Sequence, residues 1–442
     1  MLSGSDKGVE IIKTADRDVV ITGTGLLSSM GKNTVENWLN VKALKTGIAH
    51  HPEEGLPDFF QYMGRAVEYE LPDDIPKKQM GQMKFLNRGA TLGFSASCEA
   101  MSAIKEDIAD ITPGRRALYV AAGDFTKVGY DFMYPAIKDA SDKNWKSVDQ
   151  EKLNNSALNK VTPFYLLESL NNNLFSFLSA YVEFMGPNTS LSSLSPCGGN
   201  ALELAYRSIK QNRADTALAV GYGNWITEIA LYELEGLGII SKCRSGAESF
   251  KPFDRNRDGF IPGEGGAAIL LEAAETAEQR NATVLGRIKA VENSVEFSSN
   301  NGITVPAKVI VRNISDIMKD ADCKADDLAF IIPHGSGTRK GDRSELSSIK
   351  DVLGSRRADV PVCGLKPYTG HLGAASDIAE VIFGINAMED RTVPATLNFH
   401  ETEKEFSELK ISGSPQTCEK DRFLSISYGV GGQSSSVIVE VK

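Results

Sequence analysis

Two side chains able to act as nucleophiles, Ser195 and Cys197, fall within one short stretch, Thr189 to Asn200, TSLSSLSPCGGN. TSLSSL alternates as a strand does, and SPCGG has the proline and glycines of a turn. NALELAYRSIKQ then sets Ala201, Leu204, Ala205 and Ile209 on one face, which predicts an amphipathic helix beginning at Asn200. A side chain at such a junction points into the space beyond the strand end. It also feels the partial positive charge of the helix N-terminus, which favours any anion formed there. An ordinary strand-to-helix turn would read the same on this stretch alone, so the other reactive residues must be weighed with it.

The chain has five histidines, and two of them sit in glycine-rich loops just past apolar strands. His334 lies in IIPHGSGTRKGD and His371 in LKPYTGHLGAA. A single histidine is more often structural than catalytic. Two in matching strand-end loops point to a site, because α/β folds gather their sites at the carboxyl ends of strands. Lys366 precedes His371 by five residues, and a buried lysine there would tune a neighbouring imidazole or carboxylate. Asp342 and Glu345 follow His334 closely. The ordinary reading for both is a solvated first turn of a helix, with capping an alternative for Asp342. The last loop, SYGVGGQSSS, has three glycines and no Walker spacing. Backbone N–H groups aimed at a developing oxyanion are its better chemical use, and a plain tight turn is the alternative.

Positioning these groups takes a sizeable α/β framework. The 442 residues are 41% hydrophobic and 24% charged, which predicts a soluble globular chain with a large core. The formal net charge of -10 argues against a nucleic-acid partner, though a local basic patch remains compatible with it. The six cysteines are scattered, with no CxxC pair and no histidines at metal spacing, so neither a disulfide framework nor a zinc site is expected. Most read as small buried hydrophobes. No segment is apolar enough to span a bilayer, and the N-terminus lacks the apolar core of a signal peptide, so the expected location is the cytoplasm.

Residues 1–16 read as a flexible lead-in. Strands are predicted at DVVITGTGLLSS, RRALYVAAG, ADTALAVGYGN and GGAAILLEAA, with helices between them, and these close a first half, 17–280. A polar helical insertion near 129–160 is expected on its surface. The second half, 281–442, repeats the alternation with VLGRIKAVENS, LAFIIPHGSGT and VPVCGLKP as strands. It ends in a hairpin-like pair, FLSISYGVGGQSSSVIVEV. The halves resemble each other in element order and not in residues.

Taken together, these segments resemble the β-ketoacyl–acyl carrier protein synthases, the condensing enzymes of fatty-acid and type II polyketide synthesis. VVITGTGLLSSMG looks like the family's opening, and KPFDRNRDGFIPGEGGAAILLE is close to a family hallmark. PHGSGTRKGDRSEL resembles the HGTxT loop with its acidic residues, LKPYTGHLGAAS the K-x-x-x-G-H motif, and SYGVGGQSSS the terminal G-F-G-G loop. Each is weak alone; their order, over nearly the whole chain, is specific. The resemblance implies an α/β thiolase fold: two similar βαβ halves in five layers, α-β-α-β-α, assembled as a dimer.

The family's nucleophile is a cysteine at a fixed interval after a Gly-Pro. Counting from Gly186-Pro187 without a gap puts Ser195 at that position, with Cys197 beside it as an ordinary small residue. A hydroxyl is much less acidic than a thiol and needs an adjacent base. The resemblance implies catalytic roles for Ser195, His334, His371, Lys366 and Glu345, and an oxyanion hole from the N–H groups of Ser195 and Val430. Val430 stands where the family usually has a phenylalanine gate. By analogy with the family's threonines, Ser336 and Thr338 would hold the pantetheine arm, with loop capping an equal alternative. No metal or organic cofactor is implied, since phosphopantetheine arrives on the acyl carrier protein. Arg339, Lys340 and Arg343 are candidates for a basic patch facing that acidic partner. The expected function is acyl transfer from the carrier protein with Ser195 as acceptor. The alternatives are a non-catalytic subunit resembling a chain-length factor, paired with a second ketosynthase-like chain, and a malonyl carrier-protein decarboxylase. A cysteine-to-serine trap of an ordinary synthase would read alike.

Overall fold

Apolar runs, buried along nearly their whole length, fix the central strands of this computed structural model, which describes residues 17–123, 130–161, 163–168, 170–193, 196–298 and 304–442. The predicted lead-in and Ser195 lie outside these described residues. The first half builds strands β1 (Val19–Leu27), β2 (Arg116–Ala122), β3 (Asn188–Ser192), β4 (Thr216–Asn224) and β5 (Glu264–Ala273), side by side in the order β3-β2-β4-β5-β1. The second half builds β6 (Gly286–Val295), β7 (Leu328–Ile332), β8 (Pro361–Val362), β9 (Arg422–Tyr428) and β10 (Gln433–Glu440), in the order β8-β7-β9-β10-β6. Both halves therefore follow one scheme, third-second-fourth-fifth-first. Their similarity in element order extends to topology. β1 joins the halves through an antiparallel pairing of Val19–Ile21 with Ile288–Gly286. The last two strands form the expected hairpin, with Tyr428 opposite Ser434.

Five helices carry the layering: α1 (Arg88–Met101), α2 (Cys197–Lys210), α3 (Val311–Asp320), α4 (Arg339–Leu353) and α5 (Ala374–Glu389). α1 covers the outer face of the first half's strands, while α3 and α4 cover the second half. α2 and α5 lie between, each packed against strands of both halves. The result is the five-layer α-β-α-β-α order. α5 is nearly all buried because both of its faces meet a sheet.

α2 begins at Cys197, not at Asn200 as the sequence predicts. Gly198 and Gly199, read as turn residues, belong to its first turn because α5 and β10 press against them. A Cβ at Gly198 would stand 2.1 Å from the Ala374 carbonyl oxygen, and one at Gly199 would stand 2.3 Å from Ser435 Oγ. Gly198→Ala should therefore cost about 1–3 kcal/mol of stability, the range for overpacking a tight interior, read as a lowered urea midpoint. The described part of the insertion forms two helices, Tyr130–Ala140 and Gln150–Lys160, packed on one another.

Candidate active site

Parallel strands aim their carboxyl ends at one region. β3 and β8 are the third strands of their halves, and each leads into a central helix, α2 or α5. β7 ends at Ile332, two residues before His334. The two histidine loops thus converge, with ring centroids 5.2 Å apart at an angle of 67°. Both rings are buried. Trp225 stacks on His371 at 4.5 Å and Phe260 lies 5.0 Å away, while Tyr428 lies 4.6 Å from His334.

Burial, with the charge of Lys366 beside them, pushes both imidazoles well below the ordinary histidine range. Both are neutral at pH 7. The Gly373 N–H donates to His371 Nδ1 at 3.2 Å, so the proton of that ring resides on Nε2. Gly373 holds this position with φ +61°, and a Cβ there would stand 2.8 Å from Trp225 Nε1. Glycine meets both demands. His334 Nδ1 has no hydrogen-bond partner among the described residues.

The hallmark segment ties the two loops together. The His371 N–H donates to the Ile261 carbonyl at 2.9 Å, and the Gly263 N–H donates to the His371 carbonyl at 2.9 Å. The Gly259 N–H reaches the Gly337 carbonyl at 3.0 Å. Arg257, fully buried, donates to the Arg339 carbonyl and pairs with Asp342 at 3.3 Å. Asp342 in turn accepts from the Phe253 and Gly337 N–H groups at 2.8 and 3.0 Å. The ordinary reading of Asp342 and Glu345 as a solvated first turn does not hold: both are wholly buried. A facing arginine and two converging N–H groups, one from distant Phe253 and one from nearby Gly337, replace water for Asp342.

Glu345 reaches the backbone of the histidine loop, not its ring. It accepts from the His334 N–H at 2.7 Å and the Gly335 N–H at 2.9 Å. Burial, aided by the Asp342 charge, pushes its carboxyl up to about 8 against those two bonds. Lys366 Nζ donates to the His334 carbonyl at 2.6 Å and to Glu380 Oε1 at 2.7 Å. Both residues hold the loop that presents the imidazole.

Ser336 and Thr338 share a hydrogen bond at 2.8 Å, and Thr338 caps α4 by accepting from the Gly341 N–H at 3.2 Å. The Ser336 hydroxyl also lies 3.2 Å from Asp342 Oδ1, to which it donates. Val430 is exposed at the tip of the β9–β10 loop. Its partner in the expected oxyanion hole, Ser195, lies outside the described residues. Arg343 pairs with Glu405, and Lys340 bonds Thr304. Cys197 is in the core, where burial and the nearby Asp377 charge push its thiol up to about 12. It should resist iodoacetamide in the folded protein at pH 8 and react once urea unfolds the chain, as peptide mass mapping would read.

Five residues near this region escaped the sequence reading: Trp225, Arg257, Phe260, Asp377 and Glu380. The two acids carried a signal. Spaced three apart in the apolar helix AASDIAEVIFGINAME, they share a face that must be buried. Among the described residues, no cluster of three or more histidine, cysteine or acidic side chains could hold a metal ion. No described helix is long and apolar enough to cross a membrane.

The family model for the β-ketoacyl synthase N-terminal domain matches residues 16–277, and that for the C-terminal domain matches 285–400. The chain belongs to the β-ketoacyl synthase family. Among its synthase relatives, the tetracenomycin polyketide synthase ketoacyl synthase alpha subunit of Streptomyces glaucescens is 26% identical, covering 97% of this chain and 98% of that one. The 3-oxoacyl–acyl-carrier-protein synthase 2 of Staphylococcus aureus strain N315 is 23% identical, covering 96% and 98%. A β-ketoacyl synthase structure from Burkholderia phymatum STM815 superposes with a TM-score of 0.82 at 22% identity, covering 96% of this chain and all of that one. The ishigamide ketosynthase/chain length factor superposes at 0.80 with 20% identity, covering 97% and 100%. These superpositions carry the thiolase fold.

Proposed function

We propose that this β-ketoacyl synthase family protein handles acyl and malonyl groups carried on acyl carrier protein, in fatty-acid or type II polyketide synthesis. Ser195 would be its acyl acceptor, and His334 and His371 would act on the substrate carbonyl. The observation that carries this reading is the buried pair of neutral imidazoles, one with its proton on the nitrogen that faces away from its own loop. An N–H donor in a dry site stabilises negative charge as it develops on a carbonyl oxygen. For a malonyl thioester, the carbon–carbon bond to the carboxylate breaks and carbon dioxide leaves. The electron pair becomes an enolate whose oxygen accepts from His371 Nε2–H. In a condensation the enolate carbon would attack an acyl-Ser195 ester, and the serine oxygen would leave and take up a proton.

Serine at this position also favours a second reading, decarboxylation without condensation. A hydroxyl is a weak nucleophile without a base, and its ester is a poorer acyl donor than a thioester. The neutral histidines serve decarboxylation either way. Carrier protein as partner, a homodimer or a heterodimer with a second ketosynthase-like chain, and a cytoplasmic location belong to the same proposal. A neighbour at TM-score 0.81 and 20% identity, covering 97% of this chain and all of that one, was solved as a type II polyketide-synthase acyl-carrier protein in complex with its ketosynthase bound to the hexaketide.

Intact mass spectrometry after incubation with acyl and malonyl carrier protein separates the outcomes. An acyl adduct that disappears in Ser195→Ala supports acyl transfer. Carbon dioxide release without an adduct supports decarboxylation alone. Neither event, with tight pairing to another synthase-like chain, returns the reading to a chain-length-factor-like subunit.

A further inference from the structure

The Nε2–H of His371 can serve a substrate carbonyl only while its ring keeps one orientation. The χ2 torsion of a histidine is broad and roughly two-fold, so the ring is oriented by what touches it. His371 Nδ1 accepts one neutral hydrogen bond, from the Gly373 N–H at 3.2 Å. A single bond of that kind biases an equilibrium by about tenfold or less. A second restraint comes from Trp225, the residue after β4, which is buried. Its indole lies 4.5 Å from the imidazole at an interplanar angle of 21°, a near-parallel stack. Phe260 approaches the imidazole at 5.0 Å and 51°, and the indole at 5.9 Å.

The indole is itself anchored twice. Its Nε1–H donates to the Gly123 carbonyl at 2.5 Å, just past the carboxyl end of β2. Its main-chain N–H donates to the Gly263 carbonyl at 3.1 Å, and the Gly263 N–H donates to the His371 carbonyl at 2.9 Å. A closed circuit results: His371 to Gly263, Gly263 to Trp225, and Trp225 back onto the imidazole. The same anchor bears on the hydrogen-bond donor. A Cβ at Gly373 would stand 2.8 Å from Trp225 Nε1 and 3.1 Å from the Gly123 carbonyl oxygen, so the indole and its anchor pack directly on the residue whose N–H meets Nδ1. We propose that Trp225 is a positioning residue: anchored on Gly123, it holds the His371 ring in the one orientation in which Gly373 meets Nδ1 and Nε2 carries the proton. The proposal deepens the reading of His371 as the group acting on the substrate carbonyl, and rests on it. A residue that merely filled space would need the indole's volume and no N–H anchor. Here the anchor stops the indole from sliding, and the stack stops the imidazole from turning.

The deciding measurement needs no substrate. Histidine labelled at both ring nitrogens is incorporated into the whole chain, and nitrogen NMR at pH 7 reads which nitrogen of His371 carries the proton. The His371 signals are those lost in His371→Asn. The native protein should show a single tautomer, with Nε2 protonated and Nδ1 bare. Trp225→Leu keeps apolar volume and loses both the flat face and the anchor. Its two His371 shifts should move together as the proton becomes shared between the nitrogens. Carbon dioxide release from malonyl carrier protein should then fall by about 10²-fold in kcat, the scale of a misplaced catalytic group, with KM near native. Trp225→Phe restores a flat face without the anchor and should recover part of both signals and rate. Trp225→Met takes the place of leucine if that variant does not fold. Native His371 shifts in the leucine or methionine variant overturn the proposal, even where the melting temperature falls, because packing alone would produce that fall. If the native protein releases no carbon dioxide, the proposed function fails, while the tautomer shifts still decide the role of Trp225.

Discussion

His371→Ala should slow carbon dioxide release from malonyl carrier protein by about 10²–10⁴-fold, the usual range for losing a positioned proton-transfer or oxyanion-stabilising group. The ring is held on three sides. Its main chain is stitched to Ile261 and Gly263, its Nδ1 accepts from Gly373, and Trp225 stacks on its face. Alanine would remove the donor and leave the indole beside a void, so some stability would go too. His371→Asn separates the two effects, since it fills part of the space and keeps an N–H donor. Asparagine should recover part of the rate, while alanine should not. The pH profile adds a second check. Both histidines are held well below the ordinary range by burial and Lys366, so neither gains a proton near pH 6.5. The decarboxylation rate should stay flat from pH 8 through 6.5. A step at 6.5 that disappears in His371→Asn would show that the imidazoles titrate freely and are not buried as described.

The apolar strands were legible because their residues alternate or run unbroken with β-branched side chains, and the glycine loops after them marked where a site would gather. His334 and His371 could be paired on that basis, and the structure brings their rings together. The shared strand order of the two halves was visible only as a similarity of element sequence. What decides topology is packing around α2 and α5, which no local pattern records. The same packing explains the missed start of α2. Glycines read as a turn are helical there because only glycine lets α5 come so close. Asp342 was misread for a related reason. A first-turn aspartate is solvated by default, and nothing near it in sequence announces that Arg257 and the Phe253 N–H will join the Gly337 N–H in enclosing it. Asp377 and Glu380 were within reach, since two acids on an apolar helix face demand buried partners.

Lys366→Met should cost about 3–5 kcal/mol of stability at pH 8 and above, where Glu380 carries its charge and loses its buried partner. Lys366 is 2% exposed, and its ammonium is shared between the Glu380 carboxylate and the His334 carbonyl. Methionine fills the volume and supplies no donor. Glu380, whose Oε2 already lacks a partner among the described residues, would then be enclosed without a counter-charge. The loss should depend on pH with a definite sign. Burial holds the Glu380 carboxyl above its ordinary 4.5, and Lys366 is the main force opposing that rise. Above the ordinary value, the unfolded chain releases a proton that the folded protein retains, so stability falls as pH climbs through the window between the two. Without Lys366 the folded value climbs further and the window widens. The variant's deficit in urea midpoint should therefore be larger at pH 8 than at pH 5. Adding Glu380→Gln should restore much of the loss at pH 8, because a neutral pair has no charge to strand. A deficit equal at both pH values, untouched by the second substitution, would mean that Lys366 acts through packing and the His334 carbonyl alone.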